Sequence, residues 1–247
     1  MQVYSQLRQF RSTGEKALGV LIDPDKTSGE SELKKLFALI DHCKVDFILI
    51  GGSLLTTSAF QDCVKVVKRL AKVPVVLFPG SPGQVSADAD AILFLSLISG
   101  RNPELLIGQH VIAAPTIKAL GLEVIPTGYM LVDCGKATTA SYISQTFPIP
   151  WNKPEIAATT ALAGEMLGLG CIYIDGGSGA EKPVSPAMIS AVRSMINVPL
   201  IAGGGIRNEE QARIAYQSGA DMIVVGTAFE EEPELLFALA QTKSEWK

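Results

Sequence analysis

Short apolar runs of strand length alternate with helical patterns along this chain of 247 residues. Such alternation is typical of a parallel β-sheet with helices between its strands. Eight units in a chain of this length predict a (β/α)8 TIM barrel that forms one domain over residues 1–247. A doubly wound open sheet is the alternative, because the sequence does not show whether the sheet closes. The predicted strands are Ala17–Ile22, Val45–Ile50, Val75–Phe78, Ala91–Leu95, Tyr129–Val132, Cys171–Ile174, Leu200–Ala202 and Met222–Val225.

Helical periodicity fills most of the connections. In Ser31–Cys43, for example, apolar residues recur on one face of a helix. The third connection differs, since Pro79–Ala89 leaves little room for a helix. We therefore predict a shortened third β/α unit, and we expect it to leave an apolar groove open beside the small residues Gly80, Gly83 and Ala87. Further helices are predicted at Glu155–Leu167, Pro186–Met195, Glu209–Gln217 and Glu232–Ala240.

Composition and charge exclude several classes of protein. Hydrophobic residues make up 47% of the chain and charged residues 19%, as in a globular protein rather than a disordered one. The net charge of −4 and the lack of a basic cluster argue against nucleic-acid binding. The four cysteines show no C-x-x-C spacing, so we expect reduced thiols rather than a zinc site or a disulfide framework. The two histidines, His42 and His110, fall in helical segments and are expected to be exposed.

We expect the protein to be cytoplasmic and to have no transmembrane segment. Residues Met1–Lys16 are polar and mixed in charge, unlike a signal peptide. The most apolar stretch, Ala91–Ile98, is much shorter than the ~20 residues that span a bilayer. These observations leave peripheral contact with a membrane open.

Three glycine-bearing segments directly follow predicted strands in the last third of the chain. They are Gly176–Gly179, Gly203–Gly205 and Gly226-Thr227. Glycine lets backbone N–H groups approach an oxyanion closely, and helix N-termini behind such loops favour negative charge. In a TIM barrel these loops open on one face, where phosphate commonly lies beside the last two strands. Together the three segments predict a phosphate-bearing ligand.

The first predicted strand ends at an acidic residue, Asp23. Side chains alternate along a strand, so Leu21 and Asp23 point into the barrel if Ile22 faces the helices. A carboxylate beside bound phosphates is unfavourable unless a cation lies between them, and Mg²⁺ commonly binds through one or two carboxylates plus substrate phosphates. Ser53, after the second predicted strand, could supply a neighbouring oxygen. The alternative is that Asp23 only caps the helix that follows its strand.

The same alternation places Tyr173 and Asp175 inside the barrel at the sixth predicted strand. Asp175 then lies beside the first glycine segment and opposite Asp23 across the barrel mouth. Two carboxylates in separate surroundings can hold separate roles, one on a metal and one accepting a proton. Tyr173 either donates a hydrogen bond to a phosphate or fills the barrel, and spacing alone does not decide between the two.

On these residues the chain resembles the geranylgeranylglyceryl phosphate synthases and the related heptaprenylglyceryl phosphate synthases. The resemblance covers almost the whole chain, and it is specific because several motifs occur together and in order. The motifs are Leu21-Ile22-Asp23-Pro24-Asp25-Lys26, Ile50-Gly51-Gly52-Ser53, Tyr173–Ala180, Gly203-Gly204-Gly205-Ile206 and Val225-Gly226-Thr227-Ala228.

The resemblance implies an Mg²⁺-dependent prenyltransferase. Such an enzyme would transfer a polyprenyl group, expected to be geranylgeranyl, from its diphosphate to the 3-hydroxyl of sn-glycerol 1-phosphate, which forms an ether-lipid precursor. The family's metal positions fall on Asp23 and Ser53, and the catalytic carboxylates would be Asp23 and Asp175. A homo-oligomer is also implied. The positions that would contact glycerol 1-phosphate are Tyr173, Ile174, Asp175, Gly176, Gly177, Ser178, Gly179, Gly204, Gly205, Gly226 and Thr227.

Two positions depart from the family pattern. Part of the family has a lysine that contacts the phosphate two residues before the metal aspartate, where this chain has Leu21. This indicates the second subgroup of the family, in which we expect the glycine loops to carry most of the glycerol-phosphate binding. The family's usual glutamate in the sixth-strand motif is Asp175 here, which is one methylene shorter.

The residues alone leave two other functions open. A sugar-phosphate isomerase can use carboxylates at the first and fifth strands, and Asp133 ends the fifth predicted strand. Such an isomerase needs no metal, so metal dependence would separate it from a prenyltransferase. The other alternative is a non-catalytic phosphate-binding barrel, but pure scaffolding gives no reason for the inward-facing Asp23 and Asp175.

Overall fold

The computed structural model describes residues 2–27, 29–226, 232 and 234–246 of the chain. Within these residues, eight parallel strands form a closed barrel. The eight barrel strands are β1 Ala17–Ile22, β2 Phe47–Ile50, β3 Val75–Leu77, β4 Ala91–Leu97, β5 Glu123–Asp133, β7 Cys171–Asp175, β8 Leu200–Gly203 and β9 Met222–Val225, and a short ninth strand, β6, spans Ile149–Pro150. Strand β6 only pairs with the end of β5, and the ring closes where β1 pairs with β9 and β4 with β5. The predicted TIM barrel is therefore confirmed, and the open sheet is wrong.

Helices cover the outside of the barrel. Within the described residues they are α1 Val3–Thr13, α2 Glu30–His42, α3 Phe60–Leu70, α4 Gln109–Leu120, α5 Thr139–Ser144, α6 Pro154–Met166, α7 Pro186–Met195, α8 Glu209–Gln217 and α9 Leu235–Lys243. The helices predicted at α2, α6, α7 and α8 are confirmed, whereas α9 begins three residues later than predicted. None of the helices in the described ranges is long and apolar enough to cross a membrane.

The third β/α unit lacks a helix, as predicted, since residues 78–90 form only turns and irregular backbone. Strand β5, in contrast, is longer than predicted and pairs with β4 from Glu123 onwards. The preceding helix ends at Gly121 in the left-handed conformation, so the chain enters the strand almost at once. Pro126 and Gly128 are weak strand formers, so the sequence pattern did not predict this part of the strand.

Apolar side chains fill two layers, one between the strands and the helices and one inside the barrel. On β1, Leu18 and Val20 pack against the helices, whereas Leu21 faces the interior, which confirms the predicted alternation. At the amino-terminal end, α1 packs beneath the strands, and the ring centroids of Phe10 and Phe47 lie 6.1 Å apart. The carboxyl-terminal end of the barrel is open, and a cavity lies there.

Candidate active site

A cavity of about 320 Å³ opens at the carboxyl-terminal ends of the strands. One end is lined by the glycine loops together with Asp23 and Asp175. The other end is an apolar arm along β4, α4 and α5. The side chains of this apolar arm are Ile92, Phe94, Leu97, His110, Ala113, Ile117 and Ile143. A charged group and a long apolar chain can therefore occupy one continuous cavity.

Most of the residues predicted to bind glycerol phosphate meet at the polar end of this cavity. Those that line it are Tyr173, Asp175, Gly177, Ser178, Gly179, Gly204, Gly205 and Gly226. Ile174 does not, because it faces the helices from the other side of β7. Gly176 lies behind the loop, where a Cβ atom would contact the sulfur of Cys134 at 3.0 Å. Thr227 lies outside the described residues.

The glycine loops approach one another so closely that larger residues do not fit. A Cβ atom on Gly204, whose φ is +79°, would lie 2.7 Å from the backbone nitrogen of Gly177 and 2.8 Å from Oδ1 of Asp175. A Cβ atom on Gly205, whose φ is +75°, would lie 2.4 Å from the carbonyl oxygen of Lys182. Close approach and left-handed backbone thus both require glycine at these two positions.

Several backbone N–H groups at the polar end are available to a ligand. The N–H of Gly177 is used inside the protein, since it donates to Oδ1 of Asp175 at 2.8 Å. Those of Gly179, Gly204 and Gly205 donate to no residue that the structure describes. Converging backbone N–H groups of this kind form anion-binding sites.

Asp175 is a buried carboxylate with two hydrogen bonds. It is 7% exposed, and it accepts from the hydroxyl of Tyr129 at 2.6 Å and from the N–H of Gly177. Burial raises the pKa of its carboxyl, and the two hydrogen bonds lower that pKa in part. Such a group can accept a proton from a neighbouring hydroxyl. The sequence did not identify Tyr129 as a site residue, although it lies opposite the inward-facing Tyr173 in the β5–β7 register.

Tyr173 fills the barrel beneath the glycine loops. It is 1% exposed, and its ring stacks on that of Phe78 at a centroid distance of 5.0 Å. A Cβ atom on Gly203 would lie 2.4 Å from its hydroxyl oxygen, so the hydroxyl reaches the base of the second glycine segment. The packing role is confirmed, while donation to a phosphate stays a prediction.

Asp23 and Ser53 lie at the rim of the same cavity on neighbouring loops. Oδ1 of Asp23 accepts a hydrogen bond from the N–H of Asp25 at 3.1 Å, so Asp23 also caps the short 3-10 helix after β1. The described residues hold no group of three or more His, Cys, Asp or Glu side chains that could bind a metal ion. One carboxylate and one hydroxyl fit Mg²⁺ when a substrate phosphate supplies further oxygens, which is how this ion commonly binds.

Two positively charged side chains, Lys26 and Arg207, also line the polar end. Nζ of Lys26 lies 3.9 Å from Oδ2 of Asp23, and the guanidinium of Arg207 donates to the carbonyl of Ala180 at 3.2 Å. The polar end therefore carries two positively charged side chains in addition to the N–H groups of the glycine loops. The position of Arg207, two residues after the second glycine segment, was the available signal in the sequence.

His110 is buried in the apolar arm, so its predicted exposure is wrong, whereas His42 is exposed as predicted. His110 is 8% exposed, meets Phe94 edge to face at 4.4 Å, and its Nδ1 has no partner among the described residues. Burial lowers the pKa of His110, and a hydrogen bond to the backbone of Leu95 raises it in part. A π-helical turn, Glu104–Gly108, precedes α4 and interrupts the regular helical period just before His110.

The shortened third β/α unit borders the cavity, as predicted. Of the three small residues expected beside the groove, however, only Gly80 lines it, whereas Gly83 and Ala87 do not. Val85 from the same connection contributes an apolar side chain. The short connection therefore borders the cavity through Pro79, Gly80, Ser81, Pro82 and Val85.

The chain is similar to known proteins over almost its whole length. A model of the PcrB family matches residues 11–243 of the chain. The geranylgeranylglyceryl phosphate synthase of Spirosoma linguale is 54% identical over 240 residues, which covers 97% of this chain and 96% of that protein. The protein of the same name from Thermococcus gammatolerans is 45% identical, with coverage of 88% and 85%. The crystal structure of (S)-3-O-geranylgeranylglyceryl phosphate synthase from Thermoplasma acidophilum, in complex with its substrate sn-glycerol-1-phosphate, has a TM-score of 0.93 at 31% identity and 99% coverage of both chains.

Proposed function

Because this chain belongs to the PcrB family, we propose that it transfers a geranylgeranyl group from its diphosphate to the 3-hydroxyl of sn-glycerol 1-phosphate with the help of Mg²⁺. The chain is a prenyltransferase of the geranylgeranylglyceryl phosphate synthase kind, and prenyl transfer to a glycerol phosphate is its activity. The donor length, the enantiomer of the acceptor and the metal are the parts that we propose.

The observation that carries the proposal is a single cavity with two chemically different ends. Backbone N–H groups with no acceptor among the described residues lie at one end, and the apolar arm forms the other. Asp23 and Asp175 line the polar end of the same cavity. A glycerol phosphate fits the polar end, and an isoprenoid chain fits the apolar arm. The reacting atoms of the two substrates would then meet beside the carboxylates.

The polar end would hold the acceptor. The N–H groups of Gly179, Gly204 and Gly205 would donate to its phosphate, and Arg207 would add positive charge. Hydrogen bonds to a charged group contribute about 1.5–3 kcal/mol each, so a few are enough for a small dianion. No dedicated lysine at Leu21 is then needed.

Asp175 would act on the glycerol hydroxyl. As the hydroxyl oxygen bonds to the first carbon of the prenyl group, the bond from that carbon to the diphosphate breaks and the hydroxyl proton passes to Asp175. Alternatively, Asp175 stabilises the positive charge that develops on the allylic carbon. The hydroxyl of Tyr129 orients the carboxylate for either role.

Asp23 and Ser53 would hold the metal together with the diphosphate. Mg²⁺ supplies positive charge where the leaving group accumulates negative charge in the transition state. Lys26, near Asp23 at the cavity rim, would add a second positive charge. Asp23→Asn should therefore reduce turnover far more than glycerol-phosphate affinity, and equal losses in both would contradict this assignment.

The isomerase alternative is not supported by the same cavity. It depends on a carboxylate at the end of the fifth predicted strand, but Asp133 is exposed and does not line the cavity. An isomerase acting on a sugar phosphate also gives no reason for the apolar arm. The site therefore favours prenyl transfer.

The proposal is tested by incubating the purified protein with Mg²⁺, sn-glycerol 1-phosphate and prenyl diphosphates of several lengths. We expect a prenyl ether product, formed most rapidly with geranylgeranyl diphosphate and lost when EDTA removes the metal. The sn-glycerol 3-phosphate enantiomer is the control and should react poorly. Failure to form an ether with any donor would contradict the proposal.

Three further expectations stay predictions. They are a cytoplasmic location, assembly into a homo-oligomer and peripheral contact with a membrane. Fractionation of cells and light scattering on the purified protein would test them.

A further inference from the structure

Asp23 and Ser53 lie on separate loops, one after β1 and the other after β2. A metal that both residues bind requires their oxygens to be held at a fixed separation, since Mg²⁺ demands near-ideal octahedral geometry. The contacts that join the two loops therefore affect the geometry of the proposed metal site. They come from Asp25 and Gln84, two side chains to which the sequence assigned no definite role.

Asp25 ties the first loop to the second. Its Oδ2 accepts hydrogen bonds from the N–H and the hydroxyl of Thr56, at 2.5 and 2.9 Å. Its Oδ1 accepts from the N–H and the hydroxyl of Thr57, at 3.2 and 2.6 Å. Asp25 follows Asp23 by two positions, and the two threonines follow Ser53 by three and four. The Asp25 carboxylate thus joins the loop that carries Asp23 to the loop that carries Ser53.

Gln84 binds the loop that carries Ser53 through Gly52. It comes from the shortened third unit and is 4% exposed. Its Oε1 accepts from the N–H groups of Gly52 and Gly80, at 3.4 and 3.1 Å, and its Nε2 donates to the carbonyl of Gly52 at 3.0 Å. A Cβ atom on Gly80 would lie 2.8 Å from Cα of Ser53, so the third unit is pressed directly against this loop.

We propose that Asp25 and Gln84 are positioning residues, which fix the Ser53 loop relative to Asp23 and so preform the site for the metal and the diphosphate. This inference rests on the proposed function. It gives the shortened third unit a second role, because the connection that borders the cavity also supplies Gln84.

Two variants test the proposal. Asp25→Asn and Gln84→Met weaken or remove these hydrogen bonds while keeping the size of each side chain. Asp41→Asn is the matched control, because it removes an exposed carboxylate that pairs with Lys72 on the surface of α2. Each protein is titrated calorimetrically with an unreactive geranylgeranyl thiodiphosphate at several Mg²⁺ concentrations, and separately with sn-glycerol 1-phosphate.

For Asp25→Asn we expect the Mg²⁺ concentration that gives half-maximal analogue binding to rise by about tenfold, as for the loss of one favourable hydrogen bond. Excess Mg²⁺ should restore analogue binding. Affinity for sn-glycerol 1-phosphate and the Tm should match those of Asp41→Asn. Gln84→Met should change the same quantities in the same direction. Asp25 lies near the surface, so we expect Asp25→Asn to fold. This variant therefore tests the proposal by itself if Gln84→Met does not fold.

The outcomes separate this inference from the proposed function. An unchanged Mg²⁺ requirement in Asp25→Asn would overturn the positioning role and leave the proposed function standing. A parallel loss of affinity for both ligands, with a lower Tm, would also overturn it, because a general loss of structure predicts that result. Binding of the analogue by the unmodified protein equally well with and without Mg²⁺ would overturn both the metal requirement and the positioning role.

Discussion

The two ends of the barrel treat their charged groups in opposite ways. At the amino-terminal end, Arg193 donates to Asp221 at 2.9 Å and Lys243 donates to Asp46 at 2.7 Å, so these charges are paired inside the chain. At the carboxyl-terminal end, the buried Asp175 has no cationic partner among its described hydrogen bonds, and neighbouring backbone N–H groups have no described acceptor. One end is therefore built for stability and the other for a ligand.

The N-terminal helix strengthens this contrast because it covers the closed end. The N–H groups of Val3 and Tyr4 donate to the carboxylate of Glu123 at 2.7 and 2.9 Å, so the first residue of β5 caps α1. The hydroxyl of Tyr4 donates to the carbonyl of Gly170 at 3.0 Å. Substitutions at the closed end should therefore change stability more than activity, and substitutions at the open end should do the reverse.

The largest effect is expected from Asp175→Asn at the open end. Turnover should fall by about 10²–10⁴-fold, the usual contribution of general acid–base catalysis. The free energy of unfolding at neutral pH should stay the same or rise. Burial raises the pKa of Asp175, so above that pKa the folded protein carries a charge that its surroundings disfavour, and Asn removes this charge. Single-turnover kinetics and denaturant unfolding measure both quantities, and unchanged chemistry would remove Asp175 from the mechanism.

Asp221→Asn should have the opposite result at the closed end. The side chain of Arg193 is 13% exposed and that of Asp221 5%, and breaking a buried pair costs about 3–5 kcal/mol. The free energy of unfolding should fall by an amount of that order, while kcat/KM well below the Tm should hardly change.

The control for Asp221→Asn is Asp41→Asn. It breaks the exposed pair with Lys72, which should contribute only about 0–1 kcal/mol. If Asp221→Asn lost its activity at a temperature where it is folded, the division between the two ends would be wrong.

The same contrast explains which parts of the fold could be predicted from the sequence. Strand positions and the inward direction of Asp23 and Asp175 follow from alternation within one strand, which is a local property. No bounds were predicted for α1, α3, α4 or α5, although His110 was placed in a helical segment. Helix α1 is held by contacts with a residue more than a hundred positions away, and α4 begins after a π-helical turn that disturbs its periodicity.

The candidate site shows the same limit. Its glycines could be identified because their residue type is itself the signal at left-handed, closely packed positions. Tyr129, His110 and Gln84 could not be identified in this way. Each is an ordinary strand, helix or loop residue until the β5–β7 register, the ring of Phe94 or the Gly52 loop gives it a partner. A local pattern does not contain pairings between distant segments.

Gly204→Ala should weaken glycerol-phosphate binding by roughly tenfold to hundredfold, the loss of one or two hydrogen bonds to the phosphate. A methyl group would press on the backbone nitrogen of Gly177 and on Asp175, and would move N–H groups of both loops. Gly14→Ala is the matched control, because Gly14 has a similar φ of +82° but nothing lies within 4 Å of a Cβ atom there. Calorimetric titration should show weaker binding only for Gly204→Ala. Equal losses in both variants would mean that a general loss of stability, not crowding at Gly204, is responsible.

The smallest and most specific effect is expected from Tyr129→Phe, which tests the open end through pH. The hydrogen bond from Tyr129 lowers the pKa of Asp175, so its loss should raise that pKa further. If Asp175 must be ionised to accept the proton, kcat/KM should fall most at low pH and approach the unmodified value as the pH rises. The phosphate of the substrate titrates equally in both proteins, so their ratio isolates Asp175. Tyr142→Phe, at a side chain 81% exposed, should leave the ratio at one. A loss in Tyr129→Phe that is the same at every pH would assign Tyr129 to substrate binding instead, because only a change in the ionisation of Asp175 makes the loss depend on pH.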